Sequence, residues 1–326
     1  MSKELILLDN ETDLSNTAED LEALNLSAFG YLGNSKAENT KKAYESDWRD
    51  FQNWCLKFNL ISLPATAHTI NLYLSSLALS GIKVATIQRR VSALVKAHEY
   101  AKYENPVDIT VRDTVAGIRR EHGSKETGKK PILVEMIKQM INQVPENNKG
   151  IRDKSLLLLG FAGAFRRSEL TALDVEDIQE SSGGLIVQIK KSKTDQEGEG
   201  ELIGIPYGSQ PLTCPVQAYL NWLKISGIQN GPIFRKVNRH GQIGMNRLSD
   251  RAVADVIKLY IRKCGFDADD FSGHSLRSGL ATSAAMAGKN EREIMGQTRH
   301  TSEKMVRKYI RMGTLFHENA AKDIGL

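Results

Sequence analysis

Beyond residue 35 the apolar positions recur at intervals of three and four, the period that gathers side chains on one face of an α-helix. Tyr44, Trp48, Phe51 and Cys55 form such a stripe behind Asn39-Thr40, which read as a helix cap, with Lys41, Lys42 and Arg49 on the outward face. After Pro64 a second helix over 68–79 carries Ile70, Tyr73, Leu74 and Leu77, and Gly81 stops it. A third, over 84–100 with its cap near Ala85-Thr86, turns Ile87, Val91, Leu94 and Val95 inward and leaves Gln88, Arg89, Lys96 and His98 on other faces. A fourth covers 108–120. Together they predict a small all-α domain, residues 36–121. The stretch HGSKETGKKP, 122–131, reads as an exposed flexible link whose cations can meet phosphates.

A second domain, 132–313, is expected to open with a helix over 134–144. The apolar run 156–165 predicts a deeply buried helix, and it ends abruptly in Arg166-Arg167-Ser168-Glu169. Arginines against a buried helix are costly without compensating anions. Arg166 and Glu169, three apart, share a helical face, so a local ion pair explains them as well as a bound anion does. The period then changes: 185–190 and 202–205 alternate as strands around a polar turn, a hairpin with Lys193 at its shoulder. Such a lysine is ordinarily a solvated edge residue. Further helices are read over 211–225, 247–264 and 273–287. The last of these sets His274 and Arg277 three apart at an N-terminus suited to an anion, and its Ala, Ser and Gly residues permit close packing.

Residues 296–311, GQTRHTSEKMVRKYIR, place Tyr309 nine positions after His300 among Arg299, Arg307, Lys308 and Arg311. With Thr301 as the cap of one helix, the two would lie ~13 Å apart along its axis, so they flank one ligand only if the chain bends or the helix is short. A phenol with pKa of about 10 is a poor nucleophile at neutral pH, but several cations around a phosphate stabilise both phenolate and phosphorane. Taken alone, this stretch reads more simply as a basic amphipathic helix whose tyrosine merely packs. The segment 314–326, with Leu315, Phe316, Ala320, Ile324 and Leu326, is too short to fold alone and is expected to dock elsewhere.

Composition narrows the picture. The 326 residues suit two domains, and no apolar run approaches a membrane span. The first residues do not read as a secretory signal, and Cys55, Cys214 and Cys264 lack metal-ligand spacing and read as reduced core residues of a cytoplasmic protein. The net charge of +5 is uneven: residues 1–35 carry one Lys against seven acids, which leaves +11 on the other 291. The acidic stretch reads as a flexible leader, and the basic body fits a polyanion, although a generic solvated surface also carries such charge. No Walker loop, carboxylate cluster or metal spacing competes with the cationic constellation.

The ordered motifs FRRSEL (165–170), SKTD (192–195), SGHSLRSG (272–279) and HTSEKMVRKYI (300–310) resemble those of the tyrosine recombinase, or phage integrase, family, over about residues 36–326. Arg166 rather than Arg167 stands three before Glu169, as the family motif requires. His300 stands where Cre-like members have tryptophan and where histidine is the commoner family choice. The resemblance implies a mainly α chain with a small β-sheet. A helical core-binding domain and an α+β catalytic domain would form a C-shaped clamp on duplex DNA.

The resemblance further implies that Tyr309 attacks a phosphodiester to give a 3′-phosphotyrosyl bond and a free 5′-hydroxyl, leading through a Holliday junction. Arg166 and Arg277 would clamp the non-bridging oxygens, with His300 adding a hydrogen bond. Lys193 would protonate the leaving oxygen, His274 would assist proton transfer, and Glu169 would support the geometry. Neither ATP, metal nor cofactor is implied. Lys42, Gln88, Arg89, Arg90, Lys129 and Lys130 are expected to contact DNA. The partners implied are an inverted-repeat DNA site and a homotetramer across two sites, with 314–326 docking on a neighbouring protomer. A phage-type integrase with an arm-binding domain fits less well, because 1–35 is short and acidic. A DNA-binding protein that no longer cuts and a type IB topoisomerase remain as alternatives.

Overall fold

The structure, a computed structural model, describes residues 38–123, 128–190, 200–300 and 302–314. The acidic leader, Lys193, Thr301 and the segment after residue 314 lie outside the described residues. The chain divides into two compact units, Met1–Glu126 and Thr127–Leu326.

The described part of the first unit consists of α1 (Glu38–Lys57), α2 (Ala67–Leu79), α3 (Val84–Tyr100) and α4 (Ile109–His122). Their inward stripes meet in a core of Phe51, Cys55, Ile70, Tyr73, Leu74, Ile87, Leu94 and Val111. The starts differ in detail from expectation: α1 already includes Asn39 and Thr40, and α3 begins at Val84 without a side-chain cap. Thr66 and Asp108 cap α2 and α4 by accepting from the Thr69 and Val111 amides, which satisfies donors the helix cannot. Buried His98 fixes the bundle by spanning the Leu94 carbonyl and the Ala65 amide.

The second unit wraps helices around the buried α6. In order it has α5 (Val134–Asn142), α6 (Asn148–Ala162), α7 (Arg167–Ala172), β1 (Ile178–Ser181), β2 (Gly184–Ile189), β3 (Glu201–Pro206) and α8 (Pro215–Ser226). Then come β4 (Arg235–Val237), β5 (Ile243–Arg247), α9 (Asp250–Lys263), α10 (Ser275–Met286), α11 (Glu291–Thr298) and α12 (Glu303–Thr314). The sheet β1-β2-β3 is antiparallel, with Val187 opposite both Ile178 and Ile203. Leu185, Val187, Ile189, Ile203 and Ile205 face the core, the period-2 alternation of a half-buried sheet. The small β4–β5 ribbon has no counterpart among the elements expected from the sequence. Leu156, Leu157, Leu158 and Leu159 of α6 are all buried. Inside this core Arg152 is satisfied by Asp153, which also accepts from Tyr260 at 3.1 Å, so the buried charge is paired and hydrogen-bonded.

Two close approaches bring the site together. A Cβ on Gly279 of α10 would lie 1.9 Å from the Ile132 carbonyl oxygen, and one on Gly313 of α12 would lie 2.8 Å from that of Thr282. Only hydrogen at these positions lets the chain before α5 and the helix carrying Tyr309 lie flush against α10.

Candidate active site

After α6 the chain turns through Gly163 and Ala164, the latter at φ +47°. This brings Arg166 to the N-cap of α7, where Glu169 accepts from its backbone amide at 2.9 Å and from its guanidinium. Glu169 is buried and also accepts from Arg299 at 2.7 Å. Burial alone would raise its pKa, but the charge of Arg299 and the bonds from Arg166 hold it below the usual carboxylate value.

Arg277, on the first turn of α10, is completely buried. Its guanidinium donates to the Ala164 carbonyl at 2.9 Å and reaches the Arg299 carbonyl at 3.4 Å, while its Nε has no hydrogen-bond partner. Burial, then Arg166 and Arg299, push its pKa down to about 10, so it stays cationic at neutral pH in a place that disfavours the charge. Three guanidiniums thus surround one buried carboxylate, Glu169. A desolvated surplus of positive charge is relieved by an anion.

His274 caps α10 and remains exposed as a residue, yet its Nε2 lies 3.0 Å from the Tyr309 hydroxyl. Local desolvation, then Arg277 and Arg166, lower its pKa. Tyr309 packs on α12 beside Val306 against Ala281 and Ala285. Burial raises its pKa and Arg277 opposes the rise.

The condition set by the 13 Å helical spacing is met by a bend. α11 ends at Thr298, Arg299 takes the left-handed conformation at φ +53°, and α12 starts only at Glu303. His300 therefore precedes the helix, and its ring centroid is 5.8 Å from that of Tyr309. Its Nδ1 pairs with the Thr298 hydroxyl at 2.7 Å. Burial, Arg277, His274, Arg166 and Arg299 push its pKa down to about 4. The structure brings Arg166, Glu169, His274, Arg277, His300 and Tyr309 together, whereas Lys193 lies outside the described residues. Arg299 belongs to the same cluster although its position in the sequence did not single it out.

The expected DNA contacts divide. Lys42 and Gln88 are exposed on α1 and α3. Arg89 holds Asp47 in a two-pronged pair at 2.8 and 2.9 Å, and Arg90 is engaged with Asp50 and the Tyr73 hydroxyl. Lys129 and Lys130 of the second unit pair with the Asp269 carbonyl and the Asp270 carboxylate. Gln88 shares a cleft of about 480 Å³ with Arg112, Arg119 and Arg120 of α4, three cations that the apolar pattern alone does not bring forward. Their spacing along one face of the fourth predicted helix was the signal available.

A phenol, a nearby imidazole and a desolvated pair of guanidiniums suit phosphoryl transfer. The chain matches the phage integrase family over residues 132–314 and the phage integrase N-terminal SAM-like domain over 29–105. It is 44% identical over 307 residues to an integrase/recombinase XerD homologue of Selenomonas ruminantium, covering 93% of this chain and 90% of that protein. It is 28% identical to the Cre recombinase of Escherichia phage P1, covering 84% of each. In fold it resembles the XerH site-specific recombinase solved with its palindromic difH substrate, with TM-score 0.65, 17% identity, and 86% of this chain and 78% of that one covered. The chain belongs to the phage integrase family, the tyrosine recombinases, enzymes of site-specific DNA strand breakage and rejoining.

Proposed function

We propose that Tyr309 is the nucleophile, and that it recombines duplex DNA at an inverted-repeat site through a 3′-phosphotyrosyl intermediate and a Holliday junction. The observation that carries this reading is the 3.0 Å contact between the Tyr309 hydroxyl and His274 beside the buried Arg277. With Nε2 as acceptor, neutral His274 takes the phenol proton as the Tyr309 oxygen bonds to phosphorus. Arg166 and Arg277 neutralise the non-bridging oxygens of the pentacoordinate phosphorane, and His300 donates a further hydrogen bond. The bond from phosphorus to the 5′-oxygen breaks, and Lys193 protonates that oxygen. The support for Lys193 is the SKTD motif, 192–195, that it shares with the family.

The 5′-hydroxyl of a partner strand then attacks the phosphotyrosine and gives its proton back to the neutral Lys193, His274 returns its proton to the departing phenol, and one phosphodiester replaces another. The exchange conserves bond energy, so it consumes no ATP, and the guanidiniums carry the charge a metal would otherwise neutralise. Relatives solved as DNA complexes and the excess of Lys and Arg over Asp and Glu in residues 36–126, 14 against 10, support duplex DNA as partner. Recombination joins two sites, each with two half-sites, so we place four protomers in the working assembly, acting in the cytoplasm where its DNA is. Residues 314–326 dock on a neighbouring protomer.

The test uses wild type and Tyr309→Phe with a nicked duplex carrying an inverted-repeat site recovered by binding selection. A covalent protein–DNA adduct on a denaturing gel, formed by wild type alone, is the expected result. Adduct from both proteins would move the nucleophile elsewhere, and tight binding without adduct from either would make the protein a silent DNA binder.

A further inference from the structure

Arg299 is about as buried as Tyr309, yet its hydrogen bonds run to other parts of the site. Its guanidinium fork spreads over acceptors far away in the chain: the carbonyls of Gly163 at 3.0 Å and Ala164 at 3.3 Å, and the carboxylate of Glu169 at 2.7 Å. A local bond to the Gln297 carbonyl, also 3.0 Å, ties the fork to the end of α11, and the Phe165 ring lies beneath it at 5.4 Å. Its own carbonyl is the acceptor for Arg277 at 3.4 Å. One residue further on is His300. No other described side chain holds the α6–α7 turn, Glu169 and the turn before α12 simultaneously.

A left-handed backbone at a non-glycine residue costs about 1 kcal/mol or more and persists only where its surroundings enforce it. Here the Arg299 amide closes α11 on the Met295 carbonyl at 2.7 Å, and the side chain adds the contacts that tie this turn to the rest of the site. A guanidinium suits the task because its donors lie in one rigid plane, so fixing it on Glu169 and on the 163–164 carbonyls also fixes the angle between them. A lysine ammonium, a single point, cannot set that angle.

We propose that Arg299 is a positioning residue that locks the turn bearing His300 and leading to Tyr309 onto the frame formed by Glu169, Arg166 and the Ala164 carbonyl that Arg277 uses. It holds the phosphate clamp and the nucleophile segment in register. The proposal rests on the reading of Tyr309 as nucleophile, and it requires that Arg299 act through Glu169 and not on DNA.

The experiment measures single-turnover adduct formation on the nicked duplex by wild type, Arg299→Gly, Arg299→Lys, Glu169→Gln and Arg299→Gly/Glu169→Gln. Glycine accepts the left-handed backbone, so the substitution removes the fork alone. Cleavage by Arg299→Gly should fall on the order of 10²-fold, the effect of a displacement of about 1 Å at a reacting centre, with duplex affinity and cooperative melting retained. Added guanidinium ion should restore part of the rate to Arg299→Gly and none to Tyr309→Phe. In the Glu169→Gln background the loss of Arg299 should cost far less than it does alone.

Wild-type rate in Arg299→Gly, independent losses in the double variant, or no recovery with guanidinium would each overturn the proposal. Should Arg299→Gly lose its cooperative melt, Arg299→Lys carries the same question: a folded protein cleaving at least tenfold slower supports the fork, and wild-type cleavage overturns it. Absence of adduct with wild type would instead defeat the underlying reading of Tyr309.

Discussion

At the scale of single residues, the site contains two imidazoles kept neutral by burial first and then by guanidiniums that repel a further proton. His300, pushed down to about 4, makes this testable without DNA. Between its native value and the ordinary histidine value of about 6.5, the unfolded chain binds a proton that the native site refuses. More protons in the unfolded state mean that stability rises with pH, so it should fall as pH drops from about 6.5 toward about 4. Urea titrations at stepped pH check this: His300→Gln should flatten the slope across that window, and an unchanged slope would mean that His300 is freely protonated. The spacings between Arg166 and Glu169, His274 and Arg277, and His300 and Tyr309 were legible because chemistry fixes which residue types must recur in that order. Arg299 was not legible. Its acceptors Gly163, Ala164 and Glu169 lie 130 or more positions away, and its role depends on a backbone turn that no local pattern announces.

Among elements, helices with a continuous apolar stripe, α1 through α4 and α9, could be read from periodicity because one face of each is buried. The β4–β5 ribbon could not. β5, Ile243–Arg247, buries neither face, so it lacks the alternation that signals a strand. The small residues of α10 were visible in the sequence, but the structure shows which neighbours they admit. Gly279→Ala would drive a methyl into the Ile132 carbonyl, a backbone atom that cannot swing aside. The substitution should cost about 2 kcal/mol, and it should also disturb Arg277, two positions earlier on the same helix. Denaturant unfolding together with cleavage per bound complex would measure both, and a protein of unchanged midpoint would show that the chain before α5 yields easily.

For the whole molecule, the proposed function divides DNA binding and strand cleavage between separate sets of residues. The cations of the active site are enclosed, whereas Arg112, Arg119 and Arg120 of the first unit stand open around their cleft. Removing one cation from a phosphate should lower the salt dependence of binding by about 0.9 in the log–log slope. Replacing all three arginines by alanine should therefore weaken binding and flatten its response to salt, while adduct formation from saturated complex stays near the wild-type rate. Filter binding over a series of salt concentrations decides this, and an unaltered slope would place the phosphate-binding groups elsewhere.

The enclosure of Tyr309 also bears on labelling chemistry. Reagents that iodinate or couple to tyrosine seek an accessible, ionised phenol. Tyr309 is only 7% exposed and burial raises its pKa, so it offers them neither property. Tyr207 is tied to Glu180, whereas Tyr100 and Tyr103, at and just beyond the end of α3, are 71% and 46% exposed. Among the described tyrosines, a dye or surface tether introduced through phenol chemistry would favour those two and spare the hydroxyl proposed to do the cutting, which leaves an unmutated protein ready for observation one molecule at a time.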